Sequence, residues 1–303
     1  MVAHFKIDTG RAEVFSITRE NVEICLGRRK PWFRQGQHRD DDCHFAVCPY
    51  CDNPIQLKGI YRRQLKSPRP YGSHSGTPID GFEFSMLDLQ SCPYRRTRTS
   101  LSKAARREMG PVAEQLLELA VAEFDRIVLI LRDDFGFRFS DAFAERMLDQ
   151  WFDSQAYRYT GAHLRNLPWM IAYFGPAQKL FGQSVGKNLE LVDSIRSKVP
   201  QAALSATGVL EKGARWYRLD LQCLRHRMKI MEDDNVLVES MELRIQDFTS
   251  TNEALKAPTI YHKQITFDAD RFERLIHTPA ERAWRDEGLL ERARKIAAKW
   301  SRN

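Results

Sequence analysis

The pattern of apolar and polar positions divides the chain into three stretches of different character. Up to about residue 110, apolar residues come in short or alternating runs, Phe5–Ile7, Ala12–Ile17, Phe45–Val47 and Ile55–Ile60, which predict strands among many turn residues. Pro68, Pro70, Gly72, Gly76, Pro78 and Gly81 predict an extended, exposed loop between Arg63 and Gly81, long enough to need an anchor.

From about 111 to 199 the period becomes helical. Pro111 suits a first helical position, Val112, Leu116, Ala120, Phe124, Ile127, Val128 and Leu131 fall on one face, and Gly136 suits the place just past the end. Ser140 suits the cap of a second helix with Phe143, Met147, Leu148 and Trp151 as its buried stripe. Further helical stretches cover Trp169–Phe181 and Leu189–Val199. These apolar and aromatic stripes read as core, not as a cofactor pocket.

From about 200 the pattern is an antiparallel meander followed by helix. Tyr217, Leu219, Leu221 and Cys223 alternate with polar neighbours, and the phase then flips to Leu224, His226, Met228 and Ile230, which predicts a bulge. Glu232-Asp233-Asp234-Asn235 reads as the turn, Leu237, Met241, Leu243 and Ile245 as one face of the partner strand, and Ile260–Phe267 as a third strand. Thr278-Pro279-Ala280-Glu281 has the form of a capping box opening a basic amphipathic helix to Trp300. The expected fold is therefore α+β. It has an N-terminal zinc-knuckle or zinc-ribbon-like module over 1–110, a helical part over 111–199, and a β-meander with a terminal helix over 200–303. The last two parts are able to share one domain.

Composition excludes some classes. In 303 residues, 43% hydrophobic and 11% aromatic content are globular values. No apolar run reaches the roughly 18 residues of a membrane span, and Met1-Val2-Ala3-His4-Phe5-Lys6 reads as the start of a strand and not as a secretion signal. The expectation is a cytoplasmic protein whose cysteines (Cys25, Cys43, Cys48, Cys51, Cys92 and Cys223) are reduced. The net charge of +7 lies wholly in residues 1–110, which hold 19 basic against 12 acidic residues, while the remaining 28 of each sign cancel. Such segregation suggests a polyanionic partner.

The same segment carries the metal chemistry. In Cys48-Pro49-Tyr50-Cys51 a tight turn aims two sulfurs at one point, and Cys92-Pro93-Tyr94 repeats its first half, with Arg95 where a fourth cysteine would stand. A structural zinc site closes four positions. The leading set is Cys48, Cys51, Cys92 and His74, because a ligand at His74 would anchor the long loop. Cys43 or His44 could serve instead of His74, and plain reduced thiols are the remaining alternative. A redox Cys-X-X-Cys would have to open a helix, which Pro54 and the strand pattern after it oppose.

Three basic groups flank these cysteines: Arg28, Arg29, Lys30 and Arg34 among Trp32 and Phe33; Lys58, Arg62, Arg63, Lys66 and Arg69; and Arg95, Arg96, Arg98, Lys103, Arg106 and Arg107. A metal would draw the second and third together into a phosphate-binding patch, and arginine beside an aromatic suits unpaired bases. Arg225, Arg227 and Lys229 on one strand face would extend it. Catalytic constellations are thin. Gly182-Gln183-Ser184-Val185-Gly186-Lys187-Asn188 is one residue short of a phosphate loop and lacks its Ser or Thr. Asp220, Glu239 and Glu242 form the one plausible set for a magnesium-dependent nuclease, and His44, His226 and His262 have no paired nucleophile. The expectation is a nucleic-acid-binding zinc protein, a non-catalytic subunit of a prokaryotic defence, mobile-element or ribonucleoprotein complex, with other protein subunits as partners and no membrane. The alternatives are a protein–protein adaptor and the nuclease.

Overall fold

The computed structural model describes residues 1–36, 42–61, 69–95 and 101–301. It is a mixed α/β structure with antiparallel sheets and a C-terminal helix, and its buried apolar residues form two clusters, one within residues 2–92 and one within 112–296.

The first cluster is wrapped by strands β1 (His4–Lys6), β2 (Val14–Ser16), β3 (Phe33–Arg34), β4 (Cys43–Val47), β5 (Pro54–Lys58) and β6 (Tyr71–His74), with helix α1 (Arg19–Cys25) between β2 and β3. They pair in the order β2-β1-β4-β5-β6, with β3 on β4. Val2 and Gly72 exchange two backbone hydrogen bonds, 2.9 and 2.8 Å, which tie β6 back to the residue before β1. Gly72 suits that close approach, because a Cβ there would stand 2.6 Å from Ile55 Cδ1 and the isoleucine would have to shift. Tyr71–His74, expected as exposed loop, is thus a strand: its backbone hydrogen bonds go to β5, with Ile55 opposite His74 and Leu57 opposite Gly72. Helix α2 (Met86–Ser91), capped by Ser85, delivers Cys92 at its C-terminal end.

Helices α3 (Pro111–Ala122) and α4 (Phe124–Phe135) replace the single helix expected from the spacing. The break is at Glu123, whose buried carboxylate accepts from Arg126 at 2.9 Å, pairs with Arg11, and faces Arg285 at 3.5 Å. Gly136 ends α4 in the left-handed conformation, and Ser140 caps α5 (Asp141–Asp153) through the Phe143 amide, both as expected. Helix α6 (Leu167–Phe174) stops at Gly175, short of Phe181, because Pro176 disfavours helix at the residue before it. The chain then forms β7 (Gln178–Lys179), followed by α7 (Leu189–Lys198) and the small pair β8 (Ala203–Leu204) and β9 (Leu210–Glu211).

The second sheet has the order β12-β11-β10-β7, all antiparallel, with β10 (Leu219–Ile230), β11 (Leu237–Asp247) and β12 (Thr259–Thr266). The phase flip is a register shift between Leu224 and Arg227, with Arg225 at φ 57°. Helix α8 (Ala269–Ile276), capped by Asp268, was not expected. The anticipated capping box yields only a 3-10 turn, Ala280–Arg282, and the last helix α9 (Glu287–Trp300) is capped instead by Asp286 through the Leu289 amide. No helix among the described residues is long and apolar enough to cross a membrane.

A buried polar cluster stands where the two apolar clusters meet. Glu239, 5% exposed, accepts from His163 Nε2 at 2.8 Å, His226 Nε2 at 2.9 Å and Asn166 Nδ2 at 2.9 Å. Burial opposes its ionisation, but the two imidazoles and their hydrogen bonds outweigh that and hold the carboxyl well below the usual carboxylate range. With Nε2–H given to Glu239, His226 Nδ1 accepts from the Tyr159 hydroxyl at 3.3 Å. Truncation would leave three buried donors unpaired. Glu239→Ala is expected to lower unfolding free energy by about 3 kcal/mol or more and Glu239→Gln by less, read by chemical denaturation; equal and small losses in both would mean that the cluster adds little.

Candidate metal centre

The Cys48–Cys51 turn joins β4 to β5 and is held by its own backbone and by Asn53. Asn53 O accepts from Cys48 N at 2.9 Å, Asn53 Nδ2 donates to Cys51 O at 2.9 Å, and Asn53 Oδ1 accepts from the Ser85 amide at 2.9 Å. The turn is thereby fixed to the cap of α2, the helix that ends at Cys92. Asp52 takes φ 54°, and its buried carboxylate pairs with Lys6 and accepts from Gly10 N and Gln115 Nε2, each at 2.9 Å. His74 arrives at the end of β6.

Cys48, Cys51, His74 and Cys92 converge, with all four ligand atoms within 4.8 Å of one another. Cys48 Sγ lies 3.9 Å from Cys92 Sγ, and His74 Nε2 lies 3.3 Å from Cys51 Sγ and 3.7 Å from Cys92 Sγ. A tetrahedron with metal–sulfur bonds of about 2.3 Å and a metal–nitrogen bond of about 2.05 Å has edges of about 3.8 and 3.6 Å. The observed spacings agree with that figure, so the group could hold one metal ion. The three cysteines are at most 2% exposed. Burial pushes the Cys51 and Cys92 thiols up, and each is raised further by hydrogen bonding with Cys48. Cys48 itself is brought well below the usual thiol value despite its burial, because Cys51, Cys92 and the Tyr50 and Cys51 amides hydrogen-bond to its sulfur. One buried thiolate is thus stabilised internally, and a full set of three calls for a cation.

The alternative ligands are engaged elsewhere. Cys43 Sγ receives Gln56 Nε2 at 3.0 Å, and His44 Nε2 bonds Gly27 O at 3.1 Å. Cys223 is buried, and burial pushes its thiol up to about 12.

The two tyrosines of the repeated Cys-Pro-Tyr face away from the sulfurs, toward the rest of the protein. Tyr94 Oη donates to Asn235 O at 2.9 Å and accepts from Leu237 N at 3.0 Å. Tyr50 accepts from Arg165 Nη1 at 3.0 Å and packs edge-on against His163, with centroids 4.9 Å apart. Asp52, Lys6, Tyr50 and Tyr94 were not read from the sequence. The repetition of tyrosine after Cys-Pro was the available signal for the last two.

The predicted basic residues are only partly described. Arg28, Arg29 and Lys30 are exposed, and Arg95 follows the Cys92 turn. Arg62, Arg63, Lys66, Arg96 and Arg98 lie outside the described residues. Lys58 ends β5, four residues from the knuckle end at Pro54, about 13 Å along the strand. The nuclease set does not assemble. Asp220 lies opposite Gln246, Glu242 opposite Leu224 and Glu239 opposite Met228, so the three are strung along the β10–β11 ladder. Each has its own cationic or imidazole partner: Arg218 for Asp220 at 2.6 Å, Arg225 and Arg244 for Glu242 at 3.0 and 2.8 Å, and the histidines for Glu239. The Gly182–Asn188 segment is a turn in which Asn188 caps α7 through the Leu191 amide at 3.0 Å.

No protein-family model matches the chain, and comparison with curated proteins and with solved structures gave no match.

A bound ion should be stoichiometric and tied to this set. Elemental analysis is expected to find one metal ion per chain in the wild type and in Cys43→Ser, and to find it lost in Cys48→Ser and Cys92→Ser. Those two variants should melt about 10 °C lower, since about 4 kcal/mol shifts a chain of this size by that order. Metal retained in Cys92→Ser would remove Cys92 from the set.

Proposed function

We propose that the chain is a nucleic-acid-binding protein whose N-terminal segment is stapled by a structural zinc ion, and that it serves as a non-catalytic subunit of a larger nucleic-acid assembly. Zinc is the ion that three thiolates and an imidazole suit best, and four protein ligands leave no open position for a reactive water. The metal then acts on folding, through the positions of β6 and α2, and not in chemistry.

The observation that carries the binding reading is the state of the first basic group. Arg28, Arg29, Lys30 and Arg34 are exposed, and among the described residues no carboxylate pairs with any of them. The guanidinium groups of Arg28, Arg29 and Arg34 lie 5.4, 5.7 and 5.2 Å from the ring centres of Phe33, Trp32 and Phe45. Several cations on the second half of the chain are matched instead: Arg225 to Glu242, Arg285 to Asp125, Arg292 to Glu145 and Lys299 to Asp149. Positive charge left unpaired beside aromatic rings is what a polyanion with stackable bases requires.

Anisotropy titration of labelled DNA and RNA at low and raised salt tests this reading. Affinity should fall steeply with salt. Replacing Arg28, Arg29, Lys30 and Arg34 together by Ala should weaken binding about 10-fold or more, and should flatten the salt dependence by about 0.7 for each single-strand phosphate left without a cation. Salt-insensitive binding, or no binding at low salt, would favour the adaptor reading instead.

A further inference from the structure

A second surface combines aromatic rings with unpaired cations, and it lies on the other half of the chain. A groove of about 400 Å³ is bounded by Lys179 and Phe181, just after α6, and by the loop from Lys212 to Leu219 that leads into β10. That volume falls in the range of ordinary ligand sites. Trp216 and Phe181 line it and are 66% and 57% exposed, an unusual degree for rings of that size. Lys179, Lys212 and Arg215 line it too, all exposed and none paired with a carboxylate among the described residues. Among the described residues no acidic side chain lines the groove. Arg218 is not among the unpaired cations, because Asp220 holds it at 2.6 to 3.1 Å.

The loop that presents Trp216 is held in place. Gly213 packs so closely on the turn after α7 that a Cβ would stand 2.0 Å from Gln201 O, which leaves no other residue type there. Tyr217 Oη donates to Glu211 O at 2.6 Å, and Arg218 lies over Phe248 at 5.1 Å. The indole is thus displayed by a fixed backbone.

We propose that this groove binds single-stranded nucleic acid, with unpaired bases stacked on Trp216 and Phe181 and the phosphates met by Lys179, Lys212 and Arg215. The inference rests on the nucleic-acid reading above and adds a second binding region to it. Charge complementarity selects a polyanion over an apolar peptide. The exposed ring faces select unpaired bases over a duplex, whose bases are already stacked on one another.

The test is anisotropy titration of a labelled oligothymidine of about 16 nucleotides against the whole, metal-loaded chain. Trp216→Ala is expected to weaken binding about 5- to 100-fold. Lys212→Glu with Arg215→Glu is expected to weaken it and to lower the salt slope by about 1.4, two phosphates at about 0.7 each. Trp216 is solvent-facing, so unchanged thermal melting of Trp216→Ala should accompany the weaker binding and separate it from unfolding. Wild-type binding that survives both variants, yet disappears when Arg28, Arg29, Lys30 and Arg34 are replaced, overturns the groove and leaves the nucleic-acid reading standing. No wild-type binding to any oligonucleotide at low salt overturns both. Binding of an uncharged aromatic peptide that Trp216→Ala abolishes, with oligothymidine binding untouched, assigns the groove to protein and overturns the inference.

Discussion

Three thiols and an imidazole crowded into a space almost free of water set the terms for the N-terminal half of this protein. Desolvation penalises every sulfur that ionises, and each ionised sulfur penalises the next. Hydrogen bonds from Cys51 and Cys92, and then from the Tyr50 and Cys51 amides, relieve one of them, so Cys48 alone is held low while Cys51 and Cys92 are raised. A divalent cation would reverse the sign of these effects together. The apolar cluster within residues 2–92 is small, about a dozen buried side chains including the three cysteines themselves. A core of that size gains little from burial alone, so the strand layout of β4, β5 and β6 and the position of α2 depend on what ties their ends together.

The same turns that aim sulfur inward aim tyrosine outward, and this joins the metal centre to the second half of the chain. Tyr94 bridges the backbone of the β10–β11 turn, and Tyr50 is held by Arg165 and His163. His163 in turn donates to Glu239, which His226 and Asn166 also touch. The Cys48–Cys51 turn is therefore linked, through Tyr50 and then His163, to a buried carboxylate on β11. Asp52 works on the opposite side of the knuckle, through Lys6 to β1 and through Gln115 to α3. The knuckle is clamped from two directions, which explains why a left-handed, non-glycine residue is tolerated immediately after Cys51.

The parts of this arrangement that were legible from the sequence rest on local rules. Cys-Pro-Tyr-Cys and its half repeat point to the three cysteines, His74 is the leading choice over Cys43 or His44 for the fourth position, and a change of alternation phase points to the bulge at Leu224–Arg227. What was not legible depended on distant partners. The apolar spacing through Glu123 continues without interruption, and the partners that meet its carboxylate at the break include Arg11 and Arg285, which only the fold brings there. Thr278-Pro279-Ala280-Glu281 satisfies the pattern of a cap, yet Asp286 caps the helix, and Asp125 accepts from both the Asp286 amide and Arg285 at the entry to α9. Gly72 looked like a loop breaker and is instead the close-packed residue of a strand against Ile55.

Charge pairing explains why the carboxylates of β10 and β11 do not converge, while Arg28, Arg29 and Arg34 have no carboxylate partner among the described residues. Asp220 and Glu242 each accept from a guanidinium, and Glu239 from two imidazoles, so their negative charge is consumed within the sheet. A metal ion would have to displace those partners and draw together groups that β-strand geometry holds several residues apart. Lys6, Arg11 and Arg107 of the N-terminal segment are paired in the same way, with Asp52, Glu123 and Asp88. Arg28, Arg29 and Arg34 lie over rings, which neutralise nothing. On the proposed reading, a guanidinium held beside a ring loses less entropy on meeting a phosphate. The same reasoning extends, on the proposed reading, to Trp216, where a close-packed loop leaves an indole exposed beside cations without a carboxylate partner among the described residues.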